Sequence, residues 1–219
     1  MDEAASAEEL NELGIELVDR YEQEGDPALL RRAREAHEQA LRKAGTAADR
    51  AAYLNNVGNC LRLEYWETRD TADLEVARQR FESAVAAAPP GSADRPMYLD
   101  NLALALRDRY ADTGNRADLD RAVELHEEAV ATAPDEAAEK LLYLNNLGGA
   151  YWERYQITGA SSDLGRAVTM LERAVEGTTP SSPDLSMRLG NLAGVPNQWR
   201  SRNACWPQIA AGSCEPHGS

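Results

Sequence analysis

Tyr143-Leu144-Asn145-Asn146-Leu147-Gly148 is the stretch that decides the fold, because the chain writes it again and again. The block stands at Tyr53-Leu54-Asn55-Asn56-Val57-Gly58 and returns as Tyr98-Leu99-Asp100-Asn101-Leu102-Ala103. A worn copy is Arg188-Leu189-Gly190-Asn191-Leu192-Ala193. The copies lie 45 residues apart, and a fainter one, Leu10-Asn11-Glu12-Leu13-Gly14, precedes the first by 44. A fixed period of this size implies an array of stacked supersecondary units, each too small to bury its apolar face alone.

Each unit reads as two helices. In the third, Leu99, Leu102, Ala103, Leu106 and Tyr110 share one face at three- and four-residue steps, which predicts a helix from about Asp94 to Asp112. Gly114 stands where a helix-ending residue with positive φ belongs. Asn115 suits the next N-cap, with Asp118 completing a capping-box-like pair. The second helix carries Leu119, Ala122, His126, Ala129 and Val130 on its stripe, and Pro134 closes the unit. The other units follow the same order, with Asp70 and Asp73, or Gly25, Asp26 and Pro27, at the turn. A fifth unit is expected to open with Ser182 as N-cap and Pro183 at the first helical position. The recurring alanines of the second helices suit crossings at roughly 8–10 Å, where longer side chains do not fit.

Composition narrows the function classes. Among 219 residues the formal charge is -14, and residues 1–24 hold nine acids against the single base Arg20. Nucleic acid and anionic membrane surfaces repel such a chain, so neither is expected as a partner. No apolar run approaches the roughly 20 residues of a membrane span. The opening Met1-Asp2-Glu3-Ala4 is unlike a secretory signal, so a cytoplasmic location is expected. Only Lys43 and Lys140 among 23 basic residues are lysines, a bias of GC-rich bacterial genomes. Cys60, Cys205 and Cys214 form no metal spacing. There is no CxxC, phosphate loop or HExxH, so no catalytic residue, metal or cofactor is expected, and the chain reads as a non-enzyme. His37 and His126 sit on the second-helix stripe as core or rim residues, and Cys60 as a small buried hydrophobe.

After Gly194 this order stops. Residues 195–219 contain no leucine, three prolines, and two of the four tryptophans, Trp199 and Trp206. They read as an irregular or disordered tail, and the break in mid-helix suggests a lost reading frame. The repeat domain is therefore set at residues 1–194, as four helix pairs and a truncated fifth, with an uncapped C-terminal end that favours self-association.

Ala77, Phe81, Ala84 and Pro89 resemble the second-helix signature of the tetratricopeptide repeat (TPR). Leu144, Leu147, Gly148 and Tyr151 resemble its first helix, although the unit here is longer than the common 34 residues. The resemblance implies an all-α, right-handed solenoid of TPR-like helix pairs and a non-catalytic protein-interaction role. Arg109-Tyr110, Thr113-Gly114 and Asp118-Leu119, matched by Arg154-Tyr155, Thr158-Gly159 and Asp163-Leu164, resemble a bacterial subfamily that often precedes a caspase-like CHAT protease domain. That likeness implies an alternative function: sensing or regulation for a CHAT-type protease absent from this chain. The doubled asparagine also resembles the cargo-binding TPRs of kinesin light chains.

In such a stack the first helices line a concave groove. Asn55, Asn59, Arg62 and Trp66 are expected to face it, then Met97, Asp100, Leu104 and Arg107, then Leu142, Asn145, Gly149, Trp152 and Gln156. Asn56, Asn101, Asn146 and Asn191 border that row. An asparagine amide offers an acceptor and two donor hydrogens, matching the backbone of an extended peptide or protein segment. First helices about 10 Å apart meet roughly every third residue of such a segment. The competing reading is that the asparagines bond a neighbouring helix and fix the stacking register. Arg62 and Arg107 present planar forks suited to a carboxylate, or are ordinary surface ion-pair partners. Trp66 and Trp152 are anchors for a partner or fillers between long helices.

Overall fold

The computed structural model describes residues 5–195, which form nine helices and no strand. The tail residues Trp199, Cys205, Trp206 and Cys214 lie outside the described part, and with them the expectations about an irregular tail and its frame. One compact body ends at Ala133 and a second begins at Pro134. The first holds α1 (Ala7–Glu24), α2 (Pro27–Arg42), α3 (Ala47–Thr68), α4 (Thr71–Ala87), α5 (Arg95–Thr113) and α6 (Arg116–Thr132). Consecutive helices pack against each other, giving three stacked pairs in which α3 also touches α5. The second holds α7 (Lys140–Thr158), α8 (Ser161–Glu176) and α9 (Leu185–Ala193), in which α9 packs on α8 and touches α7. The all-α class and the pairing are those expected from the period.

Local chemistry sets the helix ends. Ser6 accepts from the Glu9 amide at 3.1 Å while the Glu9 carboxylate accepts from the Ser6 amide at 2.7 Å, a complete capping box. Thr46 and Asp49 repeat it for α3. Gly25, Gly114 and Gly159 end α1, α5 and α7 with φ near 67–68°, the left-handed region that glycine enters without strain. Arg69 holds the same place after α3, at φ 61°, as a non-glycine residue.

Two expectations about caps are corrected. Asp118 does not take the Asn115 backbone amide, which donates to Thr113 Oγ1 at 3.2 Å; it accepts instead from Asn115 Nδ2 at 3.2 Å and from Arg109 Nε at 2.8 Å. Ser182 does not cap α9. The chain turns once through Pro183 and Asp184, Ser182 Oγ accepts from the Asp184 amide at 3.2 Å, and the helix starts at Leu185.

The repeated Arg-Tyr-x-x-Thr-Gly-x-x-x-Asp-Leu string proves to be a turn lock. Arg154 grips Asp163 through Nε and Nη2, both at 2.8 Å, tying the end of α7 to the start of α8. Thr158 Oγ1 donates to the Arg154 carbonyl at 2.8 Å and accepts from the Ala160 amide at 3.2 Å. Thr113 makes the equivalent bonds between α5 and α6. The Arg, Thr and Asp of the string thus bond across the hairpin between paired helices, and Arg109 also reaches Glu75 of α4 at 2.9 Å.

The glycine that closes three of the repeated blocks, Gly14, Gly58 and Gly148, marks where paired helices come close. A Cβ on Gly58 would stand 2.7 Å from the Phe81 ring, one on Gly14 2.4 Å from the His37 ring, and one on Gly148 2.6 Å from Leu171 Cγ. The partner side is equally lean: Ala77, Ala84, Ala167 and Ala174 are fully buried. Small residues on both helices let the backbones approach, which is why these positions repeat.

Candidate functional site

The doubled asparagine forms an inter-helix ladder. In the first body, Asn56 Nδ2 donates to Asn11 Oδ1 at 2.9 Å, joining α3 to α1. Asn101 Nδ2 donates to Asn55 Oδ1 at 2.8 Å, joining α5 to α3. Within the second body, Asn191 Nδ2 donates to Asn145 Oδ1 at 2.9 Å, joining α9 to α7. The second residue of each pair therefore donates to the first residue of the preceding unit. Asn55 and Asn145, expected to face a groove, are 1% and 5% exposed. Burial of an amide is tolerable because the ladder satisfies it. Asp100 is buried as well, with Oδ1 2.7 Å from His126 Nδ1. His37 Nδ1 donates likewise to Asn11 at 3.0 Å, so two second helices also join the network. Burial lowers the His37 pKa to about 4.

Beyond the ladder, the α3 row continues outward at helical spacing. Asn59 is half-buried, Arg62 half-buried, and Trp66 46% exposed. Arg62 Nε meets Asp108 Oδ2 of α5 at 2.5 Å, and its guanidinium lies 4.3 Å from the centre of the Trp66 ring. Trp66 Nε1 donates to the same Asp108 oxygen at 3.2 Å. One turn on, Tyr65 donates to Asp112 at 2.7 Å, and burial, followed by that hydrogen bond, raises the Tyr65 pKa. Arg62 is thus already paired within the chain, while Trp66 is 46% exposed and held by two neighbours, Arg62 and Asp108.

The remaining expected residues fall into two sets. Asn56, Asn101, Leu104 and Arg107 are half-buried and Met97 is exposed on the first helices of the first body. In the second body Asn146, Gly149 and Trp152 are half-buried, and Leu142 and Gln156 exposed. Trp152 stacks on Tyr155 with centroids 5.5 Å apart, and both pack against the cluster of Leu164, Val168, Leu171, Leu192 and Val195. Its ring is largely used between helices. Asp108 and Asp112 were missed by the sequence reading, although Asp108 stands one period and one residue after Arg62, the same offset that relates Asn101 to Asn55.

No curated protein sequence matches this chain. Residues 97–133 and 141–184 match the tetratricopeptide repeat family. Among solved structures, BtubC (BKLC) from P. vanneervenii is similar with a TM-score of 0.62 at 17% identity, covering 98% of this chain and 94% of that one. A putative kinesin light chain from Podosopora anserina with nearly identical TPR-like repeats is similar at 0.57 and 22% identity, covering 91% of each chain. A point variant of that protein gives 0.59 at the same identity and coverage. The shared property at such identities is the fold, which is that of TPR-like repeat proteins.

Proposed function

We propose that this chain is a non-catalytic interaction scaffold whose first helices bind an extended peptide or protein segment. Tetratricopeptide repeats generally mediate protein–protein interaction, and the matched stretches include α5 and α7, two of the helices concerned. The single observation that carries the reading is Trp66. A tryptophan 46% exposed yet fixed by Arg62 and Asp108 is a large amphipathic surface already immobilised, so a partner that covers it loses little further side-chain freedom. Asn59 lies on the same helix and Leu104 and Arg107 on the adjacent first helix, and Asn56 and Asn101 keep one amide hydrogen each beyond the one given to the ladder. Asn55 supports from beneath in the first body; in the second body Asn145, Asn146 and Trp152 stand at the equivalent repeat positions of α7.

The test is a peptide array from the cognate proteome, probed with the parent chain and with Trp66→Ala and Asn59→Ala variants matched for helicity and stability. Loss of the parent's ligands by the tryptophan variant, by tenfold or more in Kd, is expected. Unchanged binding by both variants would refute this face as the binding surface.

A further inference from the structure

The first helices of the first body share a solvent-facing side in register. On α3 it presents Ala52, Asn56, Asn59, Leu63 and Trp66, at alternating four- and three-residue steps. None of these is buried, whereas Tyr53, Leu54, Val57, Cys60 and Leu61 between them are. The same positions fall 44 residues earlier on α1 and 45 later on α5. On α1 they are Glu8, Glu12, Ile15, Asp19 and Glu22, all exposed. On α5 they include Met97, Leu104 and Asp108. Asn56 bonds Asn11 across α1 and α3, and Tyr21 donates to Glu67, the residue after Trp66, at 2.5 Å, so the last turns of the two helices are tied as well.

Along this side the charge has one sign. Glu8, Glu12, Asp19, Glu22 and Asp108 stand at the positions just traced, and no lysine or arginine does. Arg20, the one base of α1, is spent on Glu24 at 2.9 Å. Arg62 and Arg107 lie one residue aside. The Arg62 fork suits a carboxylate in principle, yet in the structure Asp108 already takes its Nε at 2.5 Å. The same Asp108 oxygen accepts from Trp66 Nε1 at 3.2 Å, while Oδ1 accepts no hydrogen bond from the described residues. Beside the exposed tryptophan there is therefore an acceptor with capacity left, not a spare cation.

Apolar groups sit among these acids. Ile15 is 46% exposed and Met97 38%, and Leu104 is half-buried. An occupant of this side must cover such groups and answer the carboxylates together. A second copy offering the same side is repelled by its like charge, and so is an acidic or phosphorylated segment. A lysine or arginine satisfies both demands: its methylene stem lies on the Trp66 ring while its cation reaches Asp108 Oδ1. Resting on the scaffold function proposed for these helices, we propose that the segment bound along α1, α3 and α5 is cationic and amphipathic, with lysine or arginine residues set among apolar ones.

The proteome peptide array is probed with the full-length chain, with a Glu12→Gln/Asp19→Asn/Glu22→Gln variant, and with a Glu35→Gln/Glu136→Gln/Glu176→Gln control that removes equal charge from other exposed sites. Circular dichroism checks that all three are equally helical. The bound peptides are expected to carry net positive charge. The first variant should weaken the best of them by about tenfold or more in Kd and the control by less than about twofold. Parent affinity should also fall between about 0.05 and 0.5 M sodium chloride. Should the first variant lose helicity, that salt series decides, and a Kd unchanged by salt overturns the proposal. Neutral or acidic bound peptides, or equal loss by both variants, overturn it too. In those cases loss of the same peptides by Trp66→Ala leaves the scaffold function standing, whereas an array with no bound peptide removes both.

Discussion

Replacing Gly58 by alanine sets two effects of opposite sign against each other. Gly58 lies inside α3, where intrinsic helix preference favours alanine by about 1 kcal/mol. Packing opposes it: the new Cβ would sit 2.7, 2.9 and 3.0 Å from three atoms of the Phe81 ring, about 1 Å inside ordinary carbon–carbon contact. The ring is fully buried and cannot recede, because Ala77 and Ala84 beside it on α4 are also at zero exposure. Overpacking of this kind costs about 1–3 kcal/mol, so Gly58→Ala is expected to lower stability by up to about 2 kcal/mol net. Gly165→Ala is the control. That glycine lies within α8 with no atom within 4 Å of a built Cβ, so it should gain up to about 1 kcal/mol. Urea unfolding followed by circular dichroism measures both, the midpoints moving in opposite directions. A double-mutant cycle with Phe81→Ala should show favourable coupling of about 1–2 kcal/mol, since the clash vanishes with the ring. Stabilisation by Gly58→Ala equal to that of Gly165→Ala would refute the close α3–α4 approach.

Two further outcomes follow from buried titratable groups. His37 has its pKa lowered to about 4 by burial, while in the unfolded chain it titrates near 6.5. Between those values the unfolded state binds the extra proton, so stability falls as pH drops through that window, by about 2 kcal/mol between pH 7 and pH 5. His37→Phe, copying Phe81 over its own glycine, should remove that slope when urea midpoints are compared at the two pH values; an unchanged slope refutes the assignment. Cys60 is fully buried and its thiol is pushed up to about 12, mainly by desolvation. Its alkylation at pH 8, followed by mass mapping of the Cys60 peptide, should be slower in the native protein than in urea by about a thousandfold. Equal rates would place the thiol at the surface.

The fold was legible because its determinants are local and repeated. Leu99, Leu102 and Leu106 announce a helix face by spacing alone, and Gly114 and Gly159 announce its end by backbone chemistry. The candidate site was legible only in part. Asn55 and Asn56 are adjacent and identical in sequence, yet one is buried as an acceptor and the other half-buried as a donor. Their roles depend on which neighbouring helix each faces, a property of stacking rather than of the helix itself. Arg62 looked available for a ligand because Asp108, which takes it, lies 46 residues away. Asp118 looked like part of a cap because nothing in the local string shows that Arg109 swings back to hold it.

The one-residue stagger of the asparagine ladder bears on how such a chain can change. Within each body a module carries a donor for its predecessor or an acceptor for its successor, so the joints are directional and interchangeable, like head-to-tail linkages in a polymer. Duplication, loss or exchange of whole modules then remakes the same joint without adjusting any partner. Loop length is free to drift. Asn11 and Asn56 are bonded across 45 residues and Asn55 and Asn101 across 46, and the bonds are alike. What cannot drift is the phase of the first helix: an insertion within it rotates the donor by about 100° and breaks the linkage.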